Sequence, residues 1–167
     1  MPRDDLAPIV ETLDDELAGH QLYQRWRPRM ADYGGVAFWR RCTLNTNRAV
    51  ALVQIPDREF VIGPYCQWLK WRFMWQTRFI PFFYEVGLQI VLCGPGLEAR
   101  FDTPKPLLSY VDPVSNQFVV LQSLFAVDTD SSQYACARTW GQILTGPIQD
   151  SIGRALQSAG FEPREQE

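Results

Sequence analysis

What this chain lacks bounds it before anything it contains. It has one histidine, His20, so a Ser–His or Cys–His pair, or a histidine-ligated metal, would have to use that residue. Four cysteines (Cys42, Cys66, Cys93, Cys136) lie 24, 27 and 43 positions apart with no C-x-x-C spacing, which argues against a zinc knuckle and fits free thiols buried as small hydrophobes. No apolar run approaches the roughly 18 residues of a membrane span, and Met1–Asp5 lacks the basic-then-apolar start of a secretory leader. A soluble, cytoplasmic protein is expected. Gly94-Pro95-Gly96 has neither a third glycine nor a following Lys-Ser/Thr, so it reads as a hairpin turn and not as a phosphate cradle. Asp128-Thr129-Asp130 lacks the distal glutamate of a calcium loop. No cofactor and no bound metal are expected.

What is present is an uneven distribution of charge. Between Tyr23 and Arg78 stand ten basic residues against three acidic ones, a block of +7, while the segments before and after it each carry −5, leaving −3 overall. The block is also rich in tryptophan. Such separation marks either a surface for an anionic partner or pairing between parts of one domain. At 167 residues, with 46% hydrophobic and 21% charged, the chain has the size and composition of one globular domain, here 1–167, with 1–5 and 162–167 as frayed ends.

Periodicity supplies the elements. Leu6, Ile9, Val10, Leu13 and Leu17, then Leu22, Tyr23 and Trp26, recur at helical spacing, which predicts an amphipathic helix running to Arg27 before Pro28. Val36–Leu44 and Arg48–Ile55 flank Asn45-Thr46-Asn47 and predict a β-hairpin. Gly63-Pro64 opens an aromatic helix over 65–79, with Tyr65, Trp68, Trp71, Trp75 and Phe79 about one turn apart. Phe82–Cys93 with Leu97–Phe101 predicts a second hairpin, and Leu107–Val111 with Gln117–Val127 a third, followed by a turn at Asp128–Ser132 and a strand at Gln133–Trp140. The last helix starts at Thr145-Gly146-Pro147 and ends at Gly160, with Phe161 folding back on Leu156. The expected fold is a single α+β domain: a mainly antiparallel sheet built from consecutive hairpins, with N-terminal, central and C-terminal helices packed on it. Phe82–Cys93 and Phe118–Val127 are apolar on both faces, so a second layer or a partner subunit, as in a homodimer, must cover them.

Two constellations carry candidate chemistry. The basic-aromatic residues Trp39, Arg40, Arg41, Trp68, Lys70, Trp71, Arg72 and Trp75 are the expected binding residues, since guanidinium groups grip phosphate and aromatic rings stack on bases or anchor a protein partner. Membrane contact through the tryptophans is disfavoured, because the helix is aromatic nearly all round, which favours burial. Pro56-Asp57 with Glu98-Ala99-Arg100 resembles the acidic pair and cation of the PD-(D/E)xK nucleases. That resemblance implies Asp57 and Glu98 as metal-holding carboxylates and Arg100 as the group polarising phosphate, though Arg replaces the usual lysine. Size, acidic pI and an amphipathic C-terminal helix are in turn similar to bacterial type III secretion chaperones, a resemblance that implies a dimer binding extended segments. The expectation is therefore a non-catalytic interaction module binding a protein or peptide partner through an aromatic-rich surface. Single-stranded nucleic acid at the basic-aromatic block 23–78, or metal-dependent nuclease chemistry, are the alternatives.

Overall fold

The structure is a computed structural model, and it describes residues 6–20, 23–25, 35–42, 46–55, 61–76, 85–97, 107–111, 119–138 and 145–164. In chain order these form α1 (Ala7–Ala18), β1 (Gln24–Arg25), β2 (Gly35–Cys42), β3 (Thr46–Gln54), α2 (Ile62–Gln76), β4 (Glu85–Gly94), a 3-10 turn (Leu107–Tyr110), β5 (Val119–Asp128), β6 (Gln133–Arg138), α3 (Gly146–Ser158) and β7 (Glu162–Pro163). The strands make one seven-stranded sheet in the order of the chain. Among the described residues the fold is thus α+β, with three helices and a mixed sheet.

The mixed sheet corrects the consecutive-hairpin expectation. β2–β3 and β5–β6 are antiparallel pairs as expected, although Thr46 and Asn47, expected in the turn, already belong to β3, whereas β3–β4 and β4–β5 run parallel. Parallel neighbours need a crossover, and α2 supplies one between β3 and β4. Both edges of β4 are occupied along its length by β3 and β5; of its expected hairpin partner Leu97–Phe101, only Leu97 lies among the described residues. Leu107–Tyr110, expected as a strand, is instead the 3-10 turn. Glu162 and Pro163, expected to fray, pair with Gln133 and Tyr134, and the Arg164 amide donates to the Tyr134 carbonyl at 2.8 Å.

Strand alternation sends apolar side chains to both faces. Ala49, Ala51, Val53, Leu88, Ile90, Leu92, Leu121 and Leu124 pack beneath Ile62, Cys66, Leu69 and Phe73 of α2. On the opposite face Trp39, Val50, Leu52, Val91, Phe125 and Val127 pack against Ile9, Leu13 and Leu17 of α1 and Ile148, Ile152 and Leu156 of α3. Each fully buried side chain of this size contributes about 1.5–3 kcal/mol of transfer free energy. The second layer demanded by the two-faced strands therefore comes from the chain itself.

α1 stops well before the predicted Arg27. It ends at Ala18-Gly19, and Gln24–Arg25 already pairs with β2. The reversal lets the Arg25 guanidinium donate to both carboxylate oxygens of Asp14 at 2.8 and 2.9 Å, a contact that a straight helix, about 16 Å long over eleven residues, would forbid. Asp14 Oδ1 also accepts the Trp39 indole N–H at 2.7 Å. α1 and α3 are clipped together by Arg154 on Glu16 at 2.9 Å and by His20 Nε2 against Ser151 Oγ at 2.6 Å.

Candidate functional site

The expected binding residues divide between the two faces of the sheet. Trp39 is 2% exposed and belongs to the α1/α3 core, with the Arg25 guanidinium 4.6 Å over its ring. Arg41 lies on that same face of β2, whereas Arg40 shares the face of Phe38 beneath α2. Arg40 and Arg41 are both half-buried. On α2, Lys70 is buried, Trp68 is half-buried, and Arg72 and Trp71 are exposed; the side chain of Trp75 lies outside the described residues. The seven with described side chains therefore do not converge on one patch.

The outward side of α2 does form a small surface. Tyr65 stacks on Trp68 with ring centroids 5.7 Å apart, and the Arg72 guanidinium sits 5.5 Å over Trp68, as spacings of three and four along a helix allow. Trp71 projects beside them, 59% exposed. Val61 and Leu108, the other large apolar side chains exposed among the described residues, belong to segments on this same side of the sheet. α2 carries Lys70 and Arg72 and no acid.

Asp57, Glu98 and Arg100 lie outside the described residues. At the C-terminal ends of β3 and β4 the Ile55 amide donates to the Cys93 carbonyl at 2.8 Å. Among the described residues no group of three His, Cys, Asp or Glu side chains is placed to hold a metal ion.

A cleft of about 330 Å³ opens between β6, β7 and α3. Phe125, Tyr134, Cys136 and Gln149 line its inner part, and Arg138, Asp150, Arg154 and Arg164 its mouth. The guanidinium groups are already engaged: Arg138 with Asp150 at 2.9 Å, Arg154 with Glu16 and with Ser151 Oγ. Burial pushes the Cys136 thiol up to about 11 despite the Arg138 charge, so it stays protonated near neutrality and is a poor nucleophile. His20 is not among the residues lining the cleft; its Nε2 is hydrogen-bonded to Ser151 Oγ, itself fully buried.

A second polar locus lies on the α1/α3 face and was not expected. Apart from Lys70, every buried polar side chain among the described residues gathers here: Gln89, Gln122, Ser123, Thr145, Gln149 and Ser151. Gln122, at the irregularity that shifts β4–β5 register, lies over Gly87, where an added Cβ would meet its amide oxygen at 2.4 Å. Gln149 donates to the Gln122 carbonyl at 3.3 Å and Ser123 to Gln89 Oε1 at 3.4 Å. Even so, among the described residues four buried side-chain atoms lack a hydrogen-bond partner: Gln89 Nε2, Gln122 Oε1, Arg41 Nε and the Tyr23 hydroxyl. Across the strands Arg41 faces Arg48, and Arg48 faces Gly87, so these groups occupy consecutive positions on one sheet face. Composition does not reveal such a belt. The hairpin arithmetic around Asn45, which sets Arg41 opposite Arg48, could have revealed part of it.

No protein-family model matches the chain, and no curated protein or solved structure is detectably similar to it.

Proposed function

We propose that the protein is a non-catalytic interaction module that binds a protein or peptide partner through the outward side of α2. The observation carrying this reading is Trp71, an indole left 59% exposed on a helix whose inward residues are fully buried. Exposed tryptophan next to arginine is the composition of a binding hot spot. With Arg72 as the exposed cation and no acid on the helix, the complementary partner is a segment combining apolar and acidic side chains.

Selection from a phage-displayed random peptide library tests the reading. Enriched peptides should combine aliphatic or aromatic residues with Asp or Glu, and Trp71→Ala should weaken them by about 2 kcal/mol, while Arg72→Glu should shift the selected charge. Absence of enrichment, or peptides that bind Trp71→Ala equally well, would defeat it. Tight, steeply salt-dependent binding of oligo(dT) would favour the polyanion alternative instead.

A further inference from the structure

The cleft between β6, β7 and α3, about 330 Å³ in volume, lies at the lower end of the range for small-molecule sites. Part of its wall is apolar: Phe125 and Tyr134 are buried, and Pro163 is held against β6 because the Glu162 amide donates to the Ser132 carbonyl and the Arg164 amide to the Tyr134 carbonyl. Gly153 of α3 keeps the space open. Among the described residues, a Cβ added there would stand 3.5 Å from the Tyr134 hydroxyl and meet nothing else within 4 Å beyond its own helix backbone.

Polar groups converge on this space from two ends. Gln149, on the inner wall, is 2% exposed. Its amide nitrogen donates to the Gln122 carbonyl at 3.3 Å, whereas its oxygen accepts no hydrogen bond among the described residues and is not one of the buried atoms lacking a partner, so it is reached from the cleft. At the mouth Arg138 gives one hydrogen bond, from Nη1 to Asp150, and Arg154 commits Nε and Nη2 to Glu16 and Ser151, which leaves other N–H groups on both guanidiniums for a ligand. These arginine side chains are 50% and 55% exposed, and ion pairs so exposed hold their partners weakly. The lining as a whole carries three arginines against one acid, Asp150.

From this arrangement we infer that the cleft binds a small aromatic acid bearing a hydrogen-bond donor at the end remote from its carboxylate. The ring packs on Tyr134 and Pro163, the donor reaches Gln149 Oε1, and the carboxylate takes N–H groups of Arg138 and Arg154. A bare inorganic anion would leave the aromatic wall uncovered, and a neutral ring would leave the excess of positive charge unanswered. This site is separate from the α2 surface, because α3 packs on the opposite face of the sheet, and it does not depend on the function proposed above.

Calorimetry with para-coumarate, against para-coumaramide, which lacks the charge, and cinnamate, which lacks the phenol, tests it. Para-coumarate should bind at one saturable site, about tenfold or more tighter than the amide and about fivefold tighter than cinnamate. Arg138→Gln combined with Asp150→Asn removes an exposed ion pair whole, so the melting temperature should hold while para-coumarate weakens by about tenfold. Gly153→Leu grows a side chain into the cleft and should abolish binding, and Gln149→Met should erase the preference for para-coumarate over cinnamate. Trp71→Ala should leave binding unchanged. The inference is overturned if para-coumarate does not bind saturably, if the amide or cinnamate binds as well, if Gln149→Met keeps the preference, or if binding survives both Gly153→Leu and the paired Arg138→Gln and Asp150→Asn change. Loss of binding in Trp71→Ala, with the cleft variants binding normally, places the ligand on α2 and overturns it too.

Discussion

At the scale of single residues, chemical character is set by what each side chain faces. Asp14 holds Arg25 and the Trp39 indole at once, so one acidic residue of α1 fixes both a cation and a core tryptophan from the basic-aromatic block. Sequence alone marks Trp39 and Arg41 as aromatic and basic neighbours on one strand. It does not say that Trp39 turns inward under α1, because that depends on which face of a two-faced strand meets which helix. Burial also raises the titration of several acids: Tyr23 is pushed up to about 12 and Cys136 to about 11, and Tyr134 and Tyr65 shift the same way. Desolvation is the leading cause in each. Below the ordinary values of 9.0 for cysteine and 10.0 for tyrosine, folded and unfolded chains hold these protons alike, and stability is undiminished. Above them the unfolded chain releases protons first, so stability falls as pH rises through 9 toward 11 and 12. Urea midpoints measured from pH 8 upward should therefore decline steadily once pH passes about 9. A flat profile to pH 11 would show that these groups are not buried as described.

Elements were legible where local chemistry dominates and illegible where long-range pairing does. The end of α3 was readable in full: Gly160 adopts φ +92°, its amide donates to the Gln157 carbonyl, and the Phe161 amide donates to the Leu156 carbonyl, both at 3.0 Å. This is the Schellman bonding pattern, and it depends on a residue that tolerates a left-handed backbone. Gly160→Ala should cost about 1 kcal/mol through that backbone strain, read as a lower melting temperature with the same helix content. An unchanged melting temperature would mean the turn does not form. The antiparallel pairing of β2 and β3 was readable from two apolar runs close together in sequence, but not the place of the turn, since Thr46 and Asn47 already belong to β3. The parallel alignment of β3, β4 and β5 was not, because a strand's sequence is the same whether its neighbour runs with it or against it. The clue lay in the near-continuous apolar character of β4 and β5, which is what strands buried on both faces require. The early end of α1 was missed because Leu22, Tyr23 and Trp26 continue the helical spacing after Gly19 has broken the helix.

At the scale of the whole molecule, the charge asymmetry of the sequence is partly resolved by intramolecular pairing. The acidic α1 meets Arg25 from the basic block and Arg154 from α3. With α1 and α3 on one side and α2 on the other, the central strands have no apolar face left open for a partner to cover. Among the described side chains of α2, Trp71 is the exposed aromatic, whereas Phe73 is fully buried in the core. On the function proposed above, this helix divides its aromatic residues between folding and docking. Comparing Trp71→Ala with Phe73→Ala by equilibrium urea unfolding tests that division most directly. Phe73→Ala should lose about 3–5 kcal/mol, as core phenylalanines do, and Trp71→Ala should stay within about 0.5 kcal/mol of the parent. A loss at Trp71 comparable to that at Phe73 would place the exposed indole among the residues that hold the fold together and would contradict the account.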